Sequence, residues 1–130
     1  MSGAIVVDCS ALYDYMVADI SAELSTILAQ REWHAPQLID YEFLAVLRRH
    51  VEKGHIPPSD ATERLDYFGL LNIERHGIEL LRHRVWSLRH NFTTYDASYV
   101  TLASALGAPL ITTDLRLARE ASRYCDVLTP

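Results

Sequence analysis

The stretch NFTTYDASYVTLASALGAPLITTD, residues 91–114, decides the fold. Ala97, Val100, Leu102, Ala103 and Leu106 recur at helical spacing and predict a core-bound helix over 95–106. Thr93 with Asp96 forms a cap-like pair that opens it. Gly107 and Pro109 punctuate its end, as at a helix-to-strand turn. PLIT (109–112) is then a short apolar run suited to a buried strand, and Asp114 follows it. One carboxylate opens a core helix and another follows a core strand, so each must be either solvated or used.

The same pattern extends outward. AIVV (4–7) reads as a buried parallel strand ended by Asp8, and Ser10 as a cap for a helix through Leu12, Tyr13 and Met16. A second helix is predicted over 20–30, and WHA (33–35) is a strand candidate. Pro36 suits a helix's first turn, with Leu38, Ile39, Phe43, Val46, Leu47 and Val51 carrying an amphipathic helix to Gly54. HIPPSD (55–60) makes a turn. Asp60 with Glu63 resembles a capping box for a helix through Leu65, Phe68 and Leu71. NIERH (72–76) holds a short strand, and helices cover 77–89 and 115–123. DVLT (126–129) adds an edge strand. Strands alternating with helices imply an α/β three-layer sandwich. Its central sheet is mostly parallel, of four to five strands, with helices on both faces, in a single domain over 1–130.

Composition sets the broad class. The 130 residues are 49% apolar and 22% charged, as in a soluble globular domain, and no apolar run is long enough to span a bilayer. MSGAIVVDCSAL has no basic n-region and carries an Asp in its apolar stretch, unlike a signal peptide. Cys9 and Cys125 form no C-x-x-C and read as reduced thiols of a cytoplasmic protein, Cys9 in the interior. A net charge of −5 argues against a nucleic-acid partner, an objection that weakens once several acids are assigned to a metal ion.

Geometry brings those acids together. In a parallel α/β sheet, ligands bind beyond the carboxyl ends of strands. The helix from 96 to 106 descends about 15 Å, and the strand that follows climbs back about 15 Å. Asp96 and Asp114 therefore return to one sheet edge. Asp8 belongs to that edge by the strand rule, and Glu42 joins it if the helix after Pro36 starts there. At about 4 Å and an effective dielectric of about 20, each carboxylate pair costs on the order of 4 kcal/mol. Protonation or a cation must relieve that. Oxygen ligands without His or Cys suit Mg²⁺ or Mn²⁺, and phosphodiester hydrolysis by ion-activated water is the natural chemistry. Taken singly, each acid reads more readily as a helix-cap or dipole residue, and only their joint placement at one edge points to a site.

Four blocks, IVVDCSAL (5–12), APQLIDYEFLAVLRR (35–49), residues 91–114 and RLA (116–118), resemble the PIN-domain nucleases, most closely the VapC-type toxin ribonucleases of toxin–antitoxin pairs. The resemblance implies an acidic metal site of Asp8, Glu42, Asp96 and Asp114, with Ser10 and Thr112 holding carboxylates or water behind it. It also implies RNA cleavage with Mg²⁺ or Mn²⁺, a homodimer, and a small antitoxin docked in an apolar groove between the helices at 10–30 and 60–71. Some PIN nucleases carry a further acid after the T-x-D element, where Leu115, Arg116 and Leu117 stand here; this bears on a second ion.

Other residues have plainer readings. Arg116 is a solvated surface cation or a contact for substrate phosphate. Arg48, Arg49, His50 and Lys53, and Arg82, His83, Arg84, Arg89 and His90, form basic clusters that suit helix C-termini or an RNA-binding rim. The six histidines show no H-x-x-x-H or Cys/His spacing, which argues against structural zinc. Tyr95 and Tyr99, one turn apart, read as packing or interface residues, and Trp33 and Trp86 as core or dimer contacts. Two other functions compete. One is an aspartyl phosphotransferase or phosphatase, which typically has a second Asp where Ser10 stands. The other is a catalytically inactive PIN-like binding module.

Overall fold

The computed structural model describes residues 3–129. The elements in chain order are β1 (Ala4–Val7), α1 (Cys9–Met16), α2 (Ala22–Ala29), β2 (Glu32–Pro36), α3 (Ile39–Glu52), α4 (Pro58–Leu70), β3 (Ile73–His76), α5 (Arg82–Ser87), α6 (Thr94–Leu106), β4 (Leu110–Ile111), α7 (Leu115–Ala121) and β5 (Val127–Leu128). The five strands form one sheet in the order β3-β2-β1-β4-β5, and every pairing is parallel. The expected α/β layering is therefore present, with all five strands parallel.

Parallel neighbours require crossovers, and these are right-handed in nearly all proteins. The chain steps one way from β1 through β2 to β3 and the other way from β4 to β5. Helices α1–α4 therefore cover one face and α5–α7 the other. The packing agrees: α1 meets α3, α3 meets α4, α5 meets α6, and α6 lies on β1, β2 and β4. The direction of travel reverses between β1 and β4, which makes the gap beyond their carboxyl ends the topological switch point.

The core explains why these residues form these elements. Ile5, Val6, Val7, Leu110 and Ile111 are fully buried, as continuous β-branched and apolar strands between two helical layers must be. Ala97 through Ala103 are buried without interruption, so α6 is enclosed nearly all round. Leu106 differs from its expected core position, being 39% exposed in the last turn. Thr93 caps α6 by accepting from the Asp96 amide at 3.1 Å, and Gly107 (φ 61) ends it in the left-handed conformation that glycine adopts without a Cβ clash. On the other face, Phe43 stacks on Phe68 with centroids 4.2 Å apart.

Local expectations are corrected at several boundaries. Asp8, not Ser10, caps α1. Pro36 ends β2 and does not open a helix. It pairs with His76, needs no donor as the last strand residue, and pushes Ala35 toward extended backbone. No Asp60–Glu63 capping box forms, because α4 starts two residues earlier at Pro58, whose φ suits the first helical position. The helix expected over 77–89 shortens to Arg82–Ser87 after a turn following Gly77. Trp33 is buried and donates its indole N–H to the Leu28 carbonyl at 2.6 Å, whereas Trp86 is 65% exposed and lies under the Arg89 guanidinium.

Candidate active site

Asp8 and Asp114 leave the sheet on either side of the switch point and use the same local device. Each stands at a strand end in extended backbone and caps the next helix: Asp8 accepts from the Ala11 amide at 2.9 Å, and Asp114 from the Arg116 and Leu117 amides at 3.0 and 3.1 Å. The capping reading of these two acids is therefore correct, but it does not use all their oxygens.

Thr112 joins them. Its fully buried hydroxyl donates to Asp8 Oδ2 at 2.5 Å and accepts from the Asp114 amide at 3.0 Å. Ser10 donates to Asp8 Oδ1 at 2.7 Å, and its own Oγ accepts from the Thr113 amide at 3.3 Å. Both hydroxyls thus hold the Asp8 carboxylate. None of the donors to Asp8 is charged. Burial pushes its pKa up to about 6, with Asp114 adding to the rise and the three hydrogen bonds opposing it.

Helix α6 presents Asp96 in its first turn and Tyr99 three residues later. Burial raises the Asp96 pKa, Asp114 raises it further, and Arg116 opposes the shift. Glu42 comes from the first turn of α3, beside the fully buried Ile39 and Phe43 that seat this helix on the core. Its Oε1 accepts from the Tyr99 hydroxyl at 2.6 Å. Burial raises the Glu42 pKa, the tyrosine bond opposes this, and Asp8 and Asp96 raise it further. Four acids from four separate segments therefore share one electrostatic field. They do not form a tight cage: among the described residues, only His34, Glu74 and His76 bring three ligand atoms within 4.8 Å of one another.

Arg116 is exposed and opens the neighbouring ground. It lines a cleft of about 500 Å³ with Arg89, His90, Asn91 and Asp96. Part of one basic cluster therefore does border the acids. Two other members of the basic clusters have local partners: Arg48 pairs with Glu52 at 3.0 Å and Arg84 donates to Ser104 at 3.1 Å.

Tyr99 is 2% exposed, as its packing reading expects, whereas Tyr95 is 63% exposed. What sequence reasoning missed is that the buried Tyr99 hydroxyl also meets Glu42. Its position three residues after Asp96, on the same helical face, was the available signal. Cys9 is interior as expected, and burial beside Glu42 and Asp8 pushes its thiol pKa up to about 12, which leaves it inert.

Comparisons with known proteins bear on the family and the fold. VapC ribonuclease Mb0985 of Mycobacterium bovis is 35% identical over 123 residues, covering 95% of both chains. Ribonuclease VapC1 of Mycobacterium tuberculosis is 37% identical over 126 residues, covering 94% of both. The crystal structure of PAE2754 from Pyrobaculum aerophilum has the same fold, with a TM-score of 0.72 at 22% identity over 96% of this chain and 83% of that one. The PIN-domain family model matches residues 5–122, from β1 past the end of α7, and so takes in all four acids: the chain belongs to the PIN-domain family.

Proposed function

We propose that the chain is a Mg²⁺- or Mn²⁺-dependent endoribonuclease, the toxin of a toxin–antitoxin pair, which acts in the cytoplasm as a homodimer and is held in check by a small antitoxin. The observation that carries this reading is the convergence of Asp8, Glu42, Asp96 and Asp114 at the switch point, where three of them have raised pKa values. Its relatives' names, VapC ribonucleases over nearly the whole chain, support the RNA substrate.

The donor set fits a hard divalent cation. All four groups are carboxylates, and Asp8 is desolvated with only neutral donors around it. The open spacing suits Mg²⁺, which retains several of its waters. Asp8, Asp96 and Asp114 would hold the ion, with Ser10 and Thr112 fixing the orientation of Asp8. Such an ion neutralises charge at the scissile phosphate and makes water more acidic. Glu42, whose pKa is raised, would accept a proton from the attacking water, with the Tyr99 hydroxyl holding its carboxylate. Arg116, with Arg89 and His90 along the cleft, would meet the phosphates on either side of the cut.

A phosphotransferase using Asp8 as nucleophile fits less well. Both carboxylate oxygens are tied down by donors, and the side chain is only 5% exposed. Expression of the chain alone tests the proposal. Growth arrest with RNA cleavage, both relieved by Asp96→Ala, is expected. Undiminished cleavage by an Asp8→Asn, Asp96→Asn double variant, or by protein in EDTA, would overturn it.

A further inference from the structure

The second cluster of ligand atoms lies in the sheet itself. Strands β2 and β3 each carry the triplet Glu-x-His, at Glu32–His34 and Glu74–His76. The strands are parallel, with His34 opposite Glu74 and Pro36 opposite His76. Because strand side chains alternate, Glu32, His34, Glu74 and His76 share one face, while buried Trp33 and Ile73 take the other.

The contacts are directional. His34 Nε2 lies 2.8 Å from Glu32 Oε1. An ionised carboxylate only accepts, so this nitrogen carries the hydrogen, and in the neutral imidazole Nδ1 presents its lone pair. That Nδ1 lies 2.8 Å from His76 Nε2 and 3.1 Å from Glu74 Oε2. One proton can join only two of three converging acceptors, whereas a cation satisfies all three. Tetrahedral bonds of about 2.0–2.1 Å would set ligand atoms about 3.3 Å apart, against 2.8 and 3.1 Å for the two pairs that meet at His34 Nδ1 and at most 4.8 Å for the third. The carboxylate on the far nitrogen of His34 is the usual partner that fixes a ligating imidazole's tautomer.

We propose that His34, Glu74 and His76 form a transition-metal site, oriented by Glu32 and distinct from the acidic site. Two imidazoles and one carboxylate select Zn²⁺ or its neighbours over Mg²⁺. None of the groups that perturb Asp8, Glu42 or Asp96 belongs to this cluster. His34 is buried, while the Glu74 side chain is 63% exposed, so an ion can enter from solvent and keep a water at its fourth position. The metal would fasten edge strand β3 to β2. Sequence spacing did not reveal it because its ligands pair across strands some forty residues apart rather than along one helix.

Calorimetric titration of the EDTA-stripped and dialysed full chain with ZnCl₂, under excess Mg²⁺, tests the site. One saturable Zn²⁺ equivalent is expected, with a raised Tm. Affinity should fall about tenfold or more with Glu74→Gln or His76→Gln, and about tenfold with Glu32→Gln. Asp96→Asn should leave it unchanged, which separates this site from the proposed nuclease centre. Substituted Co²⁺ should give visible absorption bands that are lost in Glu74→Gln. Glu74 is exposed, so that variant keeps its fold, which circular dichroism checks. No saturable Zn²⁺ binding, or unchanged affinity in folded Glu74→Gln, would mean that the cluster is only a hydrogen-bonded network.

Discussion

Thr112 and Asp8, 104 positions apart in the chain, are joined by a 2.5 Å hydrogen bond beyond the ends of two adjacent strands. The same hydroxyl accepts from the Asp114 amide, so a single buried side chain sets the positions of two acids at once. Thr112→Val keeps the shape but leaves that amide without its acceptor and one Asp8 oxygen without its donor. It should cost about 1–3 kcal/mol in urea unfolding and raise the Asp8 pKa further, while Thr112→Ser should restore most of both.

Asp8 carries a pH-dependent strain. Its folded pKa, about 6, lies above the 3.8 of an ordinary aspartate, so the folded protein binds more protons than the unfolded chain between those values. This group's contribution to stability therefore falls as pH rises through that window, and the full penalty is present above pH 6. Asp8→Asn should accordingly stabilise the metal-free protein at pH 7.5, by up to about 3 kcal/mol, and give little gain at pH 4. Thermal melts in EDTA at the two pH values measure the difference.

Removing the tyrosine hydroxyl isolates the role of Glu42. Tyr99→Phe keeps the buried ring and should cost about 1 kcal/mol of stability. Glu42 loses the bond that lowers its pKa, so the acid limb of the pH–rate profile for RNA cleavage should move to higher pH. The fractional loss of rate should be larger at pH 6 than at pH 8. An unshifted limb would separate Glu42 from the proton transfer.

Arg116 is exposed and should matter to substrate rather than to folding. Arg116→Ala should leave Tm unchanged, weaken binding of single-stranded RNA, and reduce the slope of log affinity against log salt by about 0.7. An unchanged slope would return this side chain to an ordinary solvated surface role.

Phe43 links the core to the site. It stacks on Phe68 and lies next to Glu42 on α3. Phe43→Ala should destabilise by about 3–5 kcal/mol, whereas Phe43→Leu should cost less and retain activity. Urea unfolding alongside cleavage assays distinguishes loss of fold from loss of acid placement.

The strands and the larger helices were legible because their signals are local. AIVV and PLIT are continuous apolar runs, the pattern from Leu38 to Val51 repeats at helical spacing, and Thr93 caps its helix with its own side chain. Boundaries misread from sequence were those set by neighbours. Pro36 went to β2 because His76 was there to pair with it, and α4 began at Pro58 without the side-chain cap expected from Asp60. The four candidate acids stood out by placement, two beyond strand ends and two in first helical turns.

The sequence by itself determined the alternation of strands and helices, the acids at strand ends and helix starts, and through them the family, because backbone propensity and hydrophobic periodicity act over a few residues. Only the tertiary structure decided that Tyr99 serves Glu42, that Thr112 holds Asp8 and Asp114 together, and that two Glu-x-His triplets meet across β2 and β3. Hydrogen bonds and ligand sets form between atoms within about 3 Å, and such proximity between distant segments depends on strand register and crossover direction, which no short window of sequence contains.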